Sequence, residues 1–471
     1  MVNRVQADYR EFSIPTFQGN PLISAIRKAT PLEYFTKKLS YQPAFQEGLD
    51  DFERELQVEL IDSTYIVPLE LHALYKTIVK NIIIGYIHRN PVSRDMKHEQ
   101  HLASVQEDYH FPVEKNLSKC TSILGHSGTG KTLSIRSCFS FLPQVIEHSK
   151  YQDEQVKFDQ IVYIEFQAPV TKTTRGFVLS FFLAIDSVID TFYYEEWKGK
   201  STSVPLLIQE AKKVALNHHV GMAFIDEIQR CAYNKDKAEK ADFATLEFID
   251  DFFNSVGIPM IVAGTFKAKP LFDVTMSTTR RLSSARSFKY LCIPNDLFLL
   301  EKGELSFWSI FIDKLYYPEL LEGDFLFDIA FKEKVYELTI GLPALTIRLF
   351  RLAYEHAIDT GIERLSVELL DEVFQQQFEL LQPAIKALRD GESGGYEDLL
   401  PSGAFKTKEE FLIGEVIDKA IKEDEKQQSG EDDDGLVVEF EAVTQDVIPA
   451  IDLRNLSSLS TDELTGILGD K

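Results

Sequence analysis

Short apolar runs alternate with amphipathic segments between residues 106 and 300 of this chain. The apolar runs, rich in β-branched and aromatic residues, predict strands at 121–124, 160–166, 220–225 and 259–263. The segments between them, with apolar residues every three or four positions, predict helices at 133–142, 177–190, 204–216 and 246–255. Buried apolar strands that alternate with helices are typical of a parallel sheet covered on both faces. The pattern therefore predicts an α/β core domain over residues 106–300.

The regions on either side of this core follow other patterns. Residues 1–105 mix apolar and charged positions, and the helical spacing within 69–86 predicts a partly helical N-terminal extension. Residues 301–390 are amphipathic throughout, which predicts a small α-helical lid. Residues 391–471 are rich in Gly, Asp, Glu and Gln, a composition typical of a mostly flexible acidic tail. The chain is therefore expected to contain four regions, with boundaries near 105, 300 and 390.

The composition is that of a soluble globular protein, with 44% hydrophobic and 26% charged residues among 471. A chain of this length is expected to form two or three domains, each with its own core. The first 12 residues contain no apolar stretch of the kind found in signal peptides. The apolar run 177–185 is well short of the roughly 20 residues that span a bilayer. We therefore expect a cytoplasmic protein without a membrane partner.

The formal charge of −24 is distributed unevenly along the chain. Residues 389–471 contain 22 acidic and 8 basic residues, so more than half of the excess lies in the last sixth of the chain. A strongly acidic protein is a poor ligand for nucleic acid, because the phosphate backbone attracts Lys and Arg. Since residues 1–388 are only mildly acidic, the total charge does not exclude DNA binding by that part.

A glycine-rich segment follows the first predicted strand of the core and opens the next helix. Its residues are Gly125, His126, Ser127, Gly128, Thr129, Gly130, Lys131 and Thr132. This spacing is that of a phosphate-binding loop, in which successive backbone N–H groups face the phosphates of a nucleotide. Lys131 is expected to reach the β- and γ-phosphates, and the Thr132 hydroxyl is expected to bind Mg²⁺. The segment therefore predicts a site for ATP and Mg²⁺.

Two adjacent carboxylates follow the third predicted strand. Asp226 is expected to hold the Mg²⁺ ion through water, and Glu227 is expected to polarise the attacking water as a general base. Taken alone, an apolar run that ends in Asp-Glu can also be a helix cap. Beside a phosphate loop, the pair favours hydrolysis of the bound nucleotide.

Several other residues are candidates for completing this site. Thr265 would place a hydroxyl near the γ-phosphate, although a simple Gly-Thr turn is the alternative. Arg280 and Arg281 could stabilise the γ-phosphate held by a neighbouring subunit, and surface salt bridges are the alternative. Arg348 and Arg351 lie on a predicted lid helix, and either could close over the nucleotide or simply face solvent. Of these two, Arg348 is our prediction for a nucleotide contact.

Basic residues gather on the loops after the second and fourth predicted strands. The candidates for DNA binding are Lys172, Arg175, Lys267 and Lys269. In a ring of subunits, loops at one end of the sheet could line a bore and follow a phosphate backbone. For each residue taken singly, an ordinary solvated position is the alternative.

Together these residues resemble the AAA+ ATPases, and within them the TnsC family of target-selection ATPases from Tn-seven-like transposons, including CRISPR-associated ones. The matching segments are 9–10, 19–23, 85–91, 125–132, 143–146, 224–229, 264–268 and 280–281. The phosphate loop and the Asp-Glu pair are shared by ATPases in general. Segments 19–23 and 264–268 are more particular to the TnsC family, and the whole resemblance covers roughly residues 1–390.

The resemblance implies an AAA+ P-loop fold and an ATPase whose slow hydrolysis serves switching and disassembly. It also implies a homo-oligomer, either a ring or a filament, on double-stranded DNA. This assembly would receive a target signal from a TnsD-like or TniQ-like recognition protein or a guide-RNA complex, recruit the transposase subunits TnsA and TnsB, and activate insertion. By the same likeness, residues 1–105 would bind the recognition protein, and the acidic tail would lie near the transposase.

Two other functions share part of this pattern. A replication-type loader or another AAA+ remodelling ATPase would have the same core without the N-terminal matches. A P-loop kinase for a small molecule needs no residue to activate water, so Glu227 speaks against it.

Overall fold

The computed structural model of this chain describes residues 2–68, 70–106, 109–112, 115–231, 246–272 and 280–390. Its strands are β1 (Arg4–Gln6), β2 (Cys120–Gly125), β3 (Val145–Tyr151), β4 (Glu154–Ile161), β5 (Ile164–Gln167), β6 (Ala223–Asp226), β7 (Met260–Gly264) and β8 (Phe288–Tyr290). The N-terminal half contains the helices α1 (Pro21–Ser24), α2 (Leu32–Leu39), α3 (Asp51–Val58), α4 (Leu71–Tyr86), α5 (Arg94–Val105), α6 (Lys131–Phe139), α7 (Thr174–Ile189), α8 (Tyr193–Lys198) and α9 (Val204–Asn217). The C-terminal half contains α10 (Leu246–Asn254), α11 (Lys269–Phe272), α12 (Phe298–Glu301), α13 (Phe307–Asp313), α14 (Ile329–Thr339), α15 (Pro343–Asp359), α16 (Val367–Gln377) and α17 (Gln382–Asp390). The predicted tail, 391–471, lies outside the described residues.

Five parallel strands form the central sheet in the order β5-β6-β7-β2-β8. Neighbouring residues of β6 enter cores on opposite faces of this sheet: Phe224 packs in the core that contains Ile82 of α4, and Ile225 packs in the core that contains Phe181 of α7. Both faces of the strand are therefore buried, which explains its unbroken apolar sequence. The predicted α/β fold class, a parallel sheet flanked by helices, is confirmed.

The predicted strand at 160–166 is wrong in one respect, because the structure divides it between two sheets. Its first two residues end β4, and β5 begins three residues later, at Ile164. At the break, the N–H groups of Ile161 and Val162 donate to the carbonyl oxygens of His218 and Gln144, at 3.0 and 2.9 Å. The chain thereby leaves a small second sheet of order β1-β3-β4 and enters the central one.

The N-terminal extension contacts several distant parts of the molecule. Strand β1 pairs in parallel with β3, and α4 packs against α6, the helix that follows the phosphate loop. Helix α3 packs instead against α15 of the lid. The N-terminal extension thus contacts both the sheet and the lid. The division of the chain into four regions stays a prediction.

The lid is a bundle of the helices α13 to α17 around a fully buried Trp308. The indole Nε1 of Trp308 donates to the carbonyl oxygen of Lys332 at 3.0 Å, so its one polar group is satisfied. Helix α16 begins where the hydroxyl of Ser366 accepts the N–H of Leu369, a standard N-cap. None of the helices in the described ranges has the length and hydropathy needed to cross a bilayer.

Two histidines are buried between the second sheet and the loop before β6. His148 lies with Nδ1 2.8 Å from the Tyr9 hydroxyl and Nε2 2.9 Å from Gln160 Oε1. Burial lowers the pKa of His148 to about 4 and the pKa of His219 to about 3. Both rings are therefore neutral in the folded chain at neutral pH.

We expect the free energy of unfolding to decrease as the pH is lowered from about 6.5 to about 4, because the unfolded chain binds protons there that buried His148 and His219 do not bind. Each histidine contributes a slope of about 1.4 kcal/mol per pH unit within this window. Urea unfolding at a series of pH values measures the slope. The variant His148→Gln should lose one histidine's share of the slope. Equal slopes in the parent and His148→Gln would contradict the assignment.

Candidate nucleotide-binding site

The phosphate loop connects the carboxyl end of β2 to the first turn of α6. Gly128 and Gly130 have φ angles of +80° and +84°, a left-handed conformation that glycine adopts without strain. Gly130 is the N-cap of α6, and Lys131 is the first residue of that helix. The loop is thus a backbone arch on a helix N-terminus, where N–H groups and the helix dipole attract phosphate.

The side chain of Lys131 folds back on this arch. Its Nζ donates to the carbonyl oxygens of Gly125 and His126, at 2.9 and 2.7 Å. The charge is therefore held at the centre of the predicted phosphate site. Within the loop, the Thr129 hydroxyl donates to the carbonyl oxygen of His126 at 2.8 Å and stabilises the turn.

The two residues predicted to hold Mg²⁺ contact each other directly. The Thr132 hydroxyl donates to Asp226 Oδ2 at 2.6 Å, across 94 positions of sequence. Asp226 is the last residue of β6, and its other oxygen accepts the N–H of Glu227 at 2.8 Å. Hydroxyl and carboxylate oxygens are ligands that Mg²⁺ prefers. The geometry thus fits the predicted Mg²⁺ site.

Glu227 and Thr265 lie at the same edge of the sheet, because β6 and β7 run parallel and both residues follow a carboxyl end. Glu227 has a φ of +57°, which turns the chain sharply after β6. The Thr265 hydroxyl is buried and has no hydrogen-bond partner among the described residues. A buried hydroxyl without a partner is costly unless a ligand satisfies it, so Thr265 also fits a bound phosphate.

Gln229 connects these two residues, and reasoning from the sequence did not identify it as a site residue. Its Nε2 donates to Glu227 Oε2 at 2.7 Å, and its Oε1 accepts the N–H of Thr265 at 3.1 Å. A Cβ atom at Gly264 would lie 2.8 Å from Ile228 Cγ2 and would also collide with the Gln229 amide. Glycine at 264 is therefore required for this approach. The only signal in the sequence was the position of Gln229 directly after the Asp-Glu-Ile run.

The lid contacts the phosphate loop beside Gly128. The N–H of Ala344, in the first turn of α15, donates to the carbonyl oxygen of Gly128 at 3.2 Å. Arg348, predicted to contact the nucleotide, lies instead with its guanidinium 4.9 Å from the Phe378 ring and 3.4 Å from the carbonyl oxygen of Gln377. Arg351 pairs with Glu59 of the N-terminal extension at 2.7 Å. The nucleotide role of Arg348 stays a prediction.

Arg280 and Arg281 have different surroundings. Arg281 Nη1 lies 3.3 Å from Asp250 Oδ2, and the Asp250 side chain is only 4% exposed. Asp250 also accepts the amide of Asn254 at 2.9 Å. Arg280 is exposed. Arg281 therefore forms a salt bridge within the chain, which was the alternative to a role in catalysis. A role of either arginine in a neighbouring subunit stays a prediction.

The four predicted DNA-binding residues follow the carboxyl ends of β5 and β7, at the same edge of the sheet as the phosphate loop. Lys172 and Lys267 are exposed, and Lys269 begins α11. The guanidinium of Arg175 donates to the carbonyl oxygens of Trp197, Lys200 and Thr202, at 2.7 to 3.3 Å. Arg175 would have to exchange these bonds to contact DNA. DNA binding by these four residues stays a prediction.

A match to a known protein family agrees with the site. Residues 115–272 match the family model of an AAA domain. This range contains the phosphate loop, Asp226, Glu227 and Thr265. The chain therefore carries an AAA domain of the P-loop ATPase class. A search of curated proteins finds no match.

Among solved structures, the chain is similar to the ORC2 protein of Aeropyrum pernix, with 11% identity over 60% of this chain and 68% of that chain, at a TM-score of 0.34. It is also similar to Drosophila ORC bound to DNA, with 13% identity over 76% and 75% of the two chains, at a TM-score of 0.31. The FIGL-1 AAA domain shares 17% identity over 59% and 78%, at a TM-score of 0.30. The assignment of the AAA domain rests on the family match and the site geometry.

Proposed function

We propose that this chain is an ATP-hydrolysing regulator of DNA transposition that assembles on double-stranded DNA, receives a target signal and activates the TnsA and TnsB transposase. The observation that carries the ATPase part is the 2.6 Å contact between the hydroxyl of Thr132 and the carboxylate of Asp226, beside Glu227. The transposition part depends on the resemblance to the TnsC family.

The residues divide the work of hydrolysis as follows. The loop N–H groups and Lys131 bind the β- and γ-phosphates, while Thr132 and Asp226 hold the metal. Mg²⁺, when bound, neutralises charge on the phosphates. Glu227 accepts a proton from the attacking water, and the Thr265 hydroxyl orients the γ-phosphate. The Gln229 amide donates a hydrogen bond to the Glu227 carboxylate and so positions it. Because the amide is neutral, it does not form an ion pair that would make the carboxylate a weaker base.

The trans role belongs more readily to Arg280 than to Arg281. Moving Arg281 away from Asp250 would leave a buried carboxylate without its ion partner. Arg280 is exposed and can reach a neighbouring subunit without this loss. Arg280 would then supply the planar charge that stabilises the transition state.

The N-terminal segments that distinguish the TnsC family support the proposal, because they form one unit. The Asn20 amide donates to the carbonyl oxygen of Tyr86 at 2.7 Å, and the Asn90 amide donates to the carbonyl oxygen of Gly19 at 2.8 Å. Arg89 joins this unit to the loop before β6 through the carbonyl oxygen of Val220, at 2.7 Å. Sequence matches separated by more than 60 residues thus meet in space beside the ATPase sheet.

A combined experiment tests the proposal. ATP hydrolysis is measured with and without double-stranded DNA, oligomers are viewed by electron microscopy with ATP or ADP, and association with a TnsA–TnsB pair is measured by co-precipitation. We expect DNA-stimulated hydrolysis, ATP-dependent oligomers and specific association. Hydrolysis and oligomers without any TnsA–TnsB association would favour a loader or remodelling ATPase. Phosphorylation of a small molecule without DNA stimulation would favour a kinase.

We expect Gln229→Ala to lower kcat for ATP hydrolysis about tenfold and to leave KM for ATP unchanged, because the lost bond positions a charged group and does not bind the nucleotide. Arg230→Ala is the matched control, since Arg230 approaches Glu227 only at 3.7 Å and both side chains are about one-third exposed. Its effect on kcat should be smaller. A Gln229→Ala variant with the kcat of the parent would remove Gln229 from the site.

A further inference from the structure

Helix α3 and the 3-10 turn Glu59–Ser63 that follows it expose a row of large apolar side chains. Phe52, Leu56 and Leu60 are 67%, 56% and 50% exposed. Their spacing of four residues places them on one side of the helical segment. Scattered single apolar residues are normal on a surface, but a continuous row on one side is typical of an interaction site.

Carboxylates surround this apolar row. The segment 50–62 contains six acidic residues, Asp50, Asp51, Glu53, Glu55, Glu59 and Asp62, and a single basic residue. The basic residue, Arg54, is itself buried. The lid adds Glu355 and Asp359. Desolvation, then a hydrogen bond to Asp359 and the negative charges of Asp359 and Glu355, raise the pKa of Glu55. Arg54 pairs with Asp51, and Arg351 of the lid pairs with Glu59, Asp62 and Glu355. The unbalanced negative charge beside the exposed apolar row therefore comes from Asp50, Glu53, Glu55 and Asp359.

The opposite side of α3 fixes this surface rigidly to the lid. Arg54 donates to both carboxylate oxygens of Glu363, at 2.7 and 2.8 Å, and to the carbonyl oxygen of Leu320 at 3.2 Å. Val58 and Ile61 are buried in the lid core. A surface held in this way loses little conformational entropy when a partner binds, so it is well suited for recognition.

We propose that the outward face of residues 52–60, with Phe52, Leu56 and Leu60 at its centre, is a docking surface for a basic amphipathic helix of a partner protein. Apolar side chains of such a helix would cover the exposed row, and its Lys and Arg side chains would lie against the surrounding carboxylates. Opposite charges also speed the encounter and exclude wrong partners. Because α3 is attached to the lid, a bound partner would act on the part of the chain that touches the phosphate loop at Gly128.

The acidic tail is a poor occupant of this surface. Residues 389–471 carry 22 acidic and 8 basic residues, so the tail would add to the repulsion that the surface already contains. A partner with a basic face relieves this repulsion and covers the apolar row in the same step. Charge complementarity therefore selects a basic segment of another protein.

The test is a titration of the full chain with a synthetic helical peptide that has leucines on one face and lysines on the other, followed by fluorescence anisotropy. We expect saturable binding that weakens with added salt. Phe52→Ala with Leu56→Ala should weaken it about tenfold or more, and Glu53→Gln with Glu55→Gln should weaken it about threefold at low salt and less at high salt. The matched control is Leu380→Ala, at a lid residue that is 92% exposed, which should bind as the parent does.

Three results would overturn the proposal. The first is equal affinity of the parent and the Phe52→Ala, Leu56→Ala variant for the peptide. The second is equal binding of a peptide in which glutamates replace the lysines. The third is a crosslink from a photo-reactive group at position 56 of the full chain to residues 391–471 or to a second, isotope-labelled copy. Either crosslink would show that the tail or another copy occupies this surface. The inference rests on the proposed function only in assigning the chain a protein partner. Because the titration contains neither nucleotide nor DNA, a negative peptide titration says nothing against the ATPase assignment.

Discussion

Replacement of Lys131 by alanine is expected to abolish ATP binding at micromolar to millimolar nucleotide. The Lys131 ammonium is held between the carbonyl oxygens of Gly125 and His126, at the centre of the phosphate arch. An ammonium that meets several phosphate oxygens makes charge-assisted hydrogen bonds, and their loss weakens binding by roughly 100-fold or more, which corresponds to about 3 kcal/mol. Titration with a fluorescent ATP analogue measures this loss directly.

The control for this experiment is Lys198→Ala, because Lys198 lies on the surface of α8, far from the phosphate loop in sequence, and pairs with the exposed Glu195 of the same helix. It should bind ATP as the parent does. Thermal unfolding of both variants shows whether each is folded, which must be checked because removal of Lys131 also removes two bonds within the arch. Normal nucleotide affinity in folded Lys131→Ala would refute the phosphate-loop assignment.

The parts of this site that could be predicted from the sequence are those fixed by local chemistry. The left-handed glycines of the phosphate loop are required by a turn of only a few residues, so their spacing is visible in the sequence. The positions of Asp226 and Glu227 could be predicted because Asp226 ends, and Glu227 follows, a strand whose apolar run is unbroken. The order of the predicted strands and helices was enough for the fold class, since alternating elements have few possible arrangements.

The contacts that decide the roles of single residues were not visible, because they join residues far apart in sequence. Gln229 reaches the N–H of Thr265 across 36 positions, and Arg281 meets Asp250 across 31. Strand β8 was missed because it has only three residues and a central lysine. The bridge from the N-terminal extension to the lid depends on Arg54 and Glu363, which are separated by 309 positions.

Replacement of Glu227 by glutamine should leave ATP binding intact and lower the rate of hydrolysis by roughly 100-fold to 10,000-fold, the usual contribution of a general base. Glutamine keeps the shape of the side chain and an oxygen that can accept the Gln229 Nε2–H bond, so the surrounding contacts are retained. It cannot accept a proton from water at neutral pH. Single-turnover hydrolysis of radiolabelled ATP separates this chemical step from binding and product release.

The same variant distinguishes a switch from a simple enzyme. If hydrolysis drives disassembly, DNA-bound oligomers of Glu227→Gln should persist after ATP is diluted, while those of the parent dissociate. Glu165→Gln, a carboxylate of β5 that pairs with Arg136, is the matched control and should dissociate at the parent rate. Hydrolysis by Glu227→Gln at the parent rate would contradict the base assignment alone. Persistent oligomers in the parent after dilution would contradict the coupling of hydrolysis to release, because the chemical step would then leave the assembly unchanged.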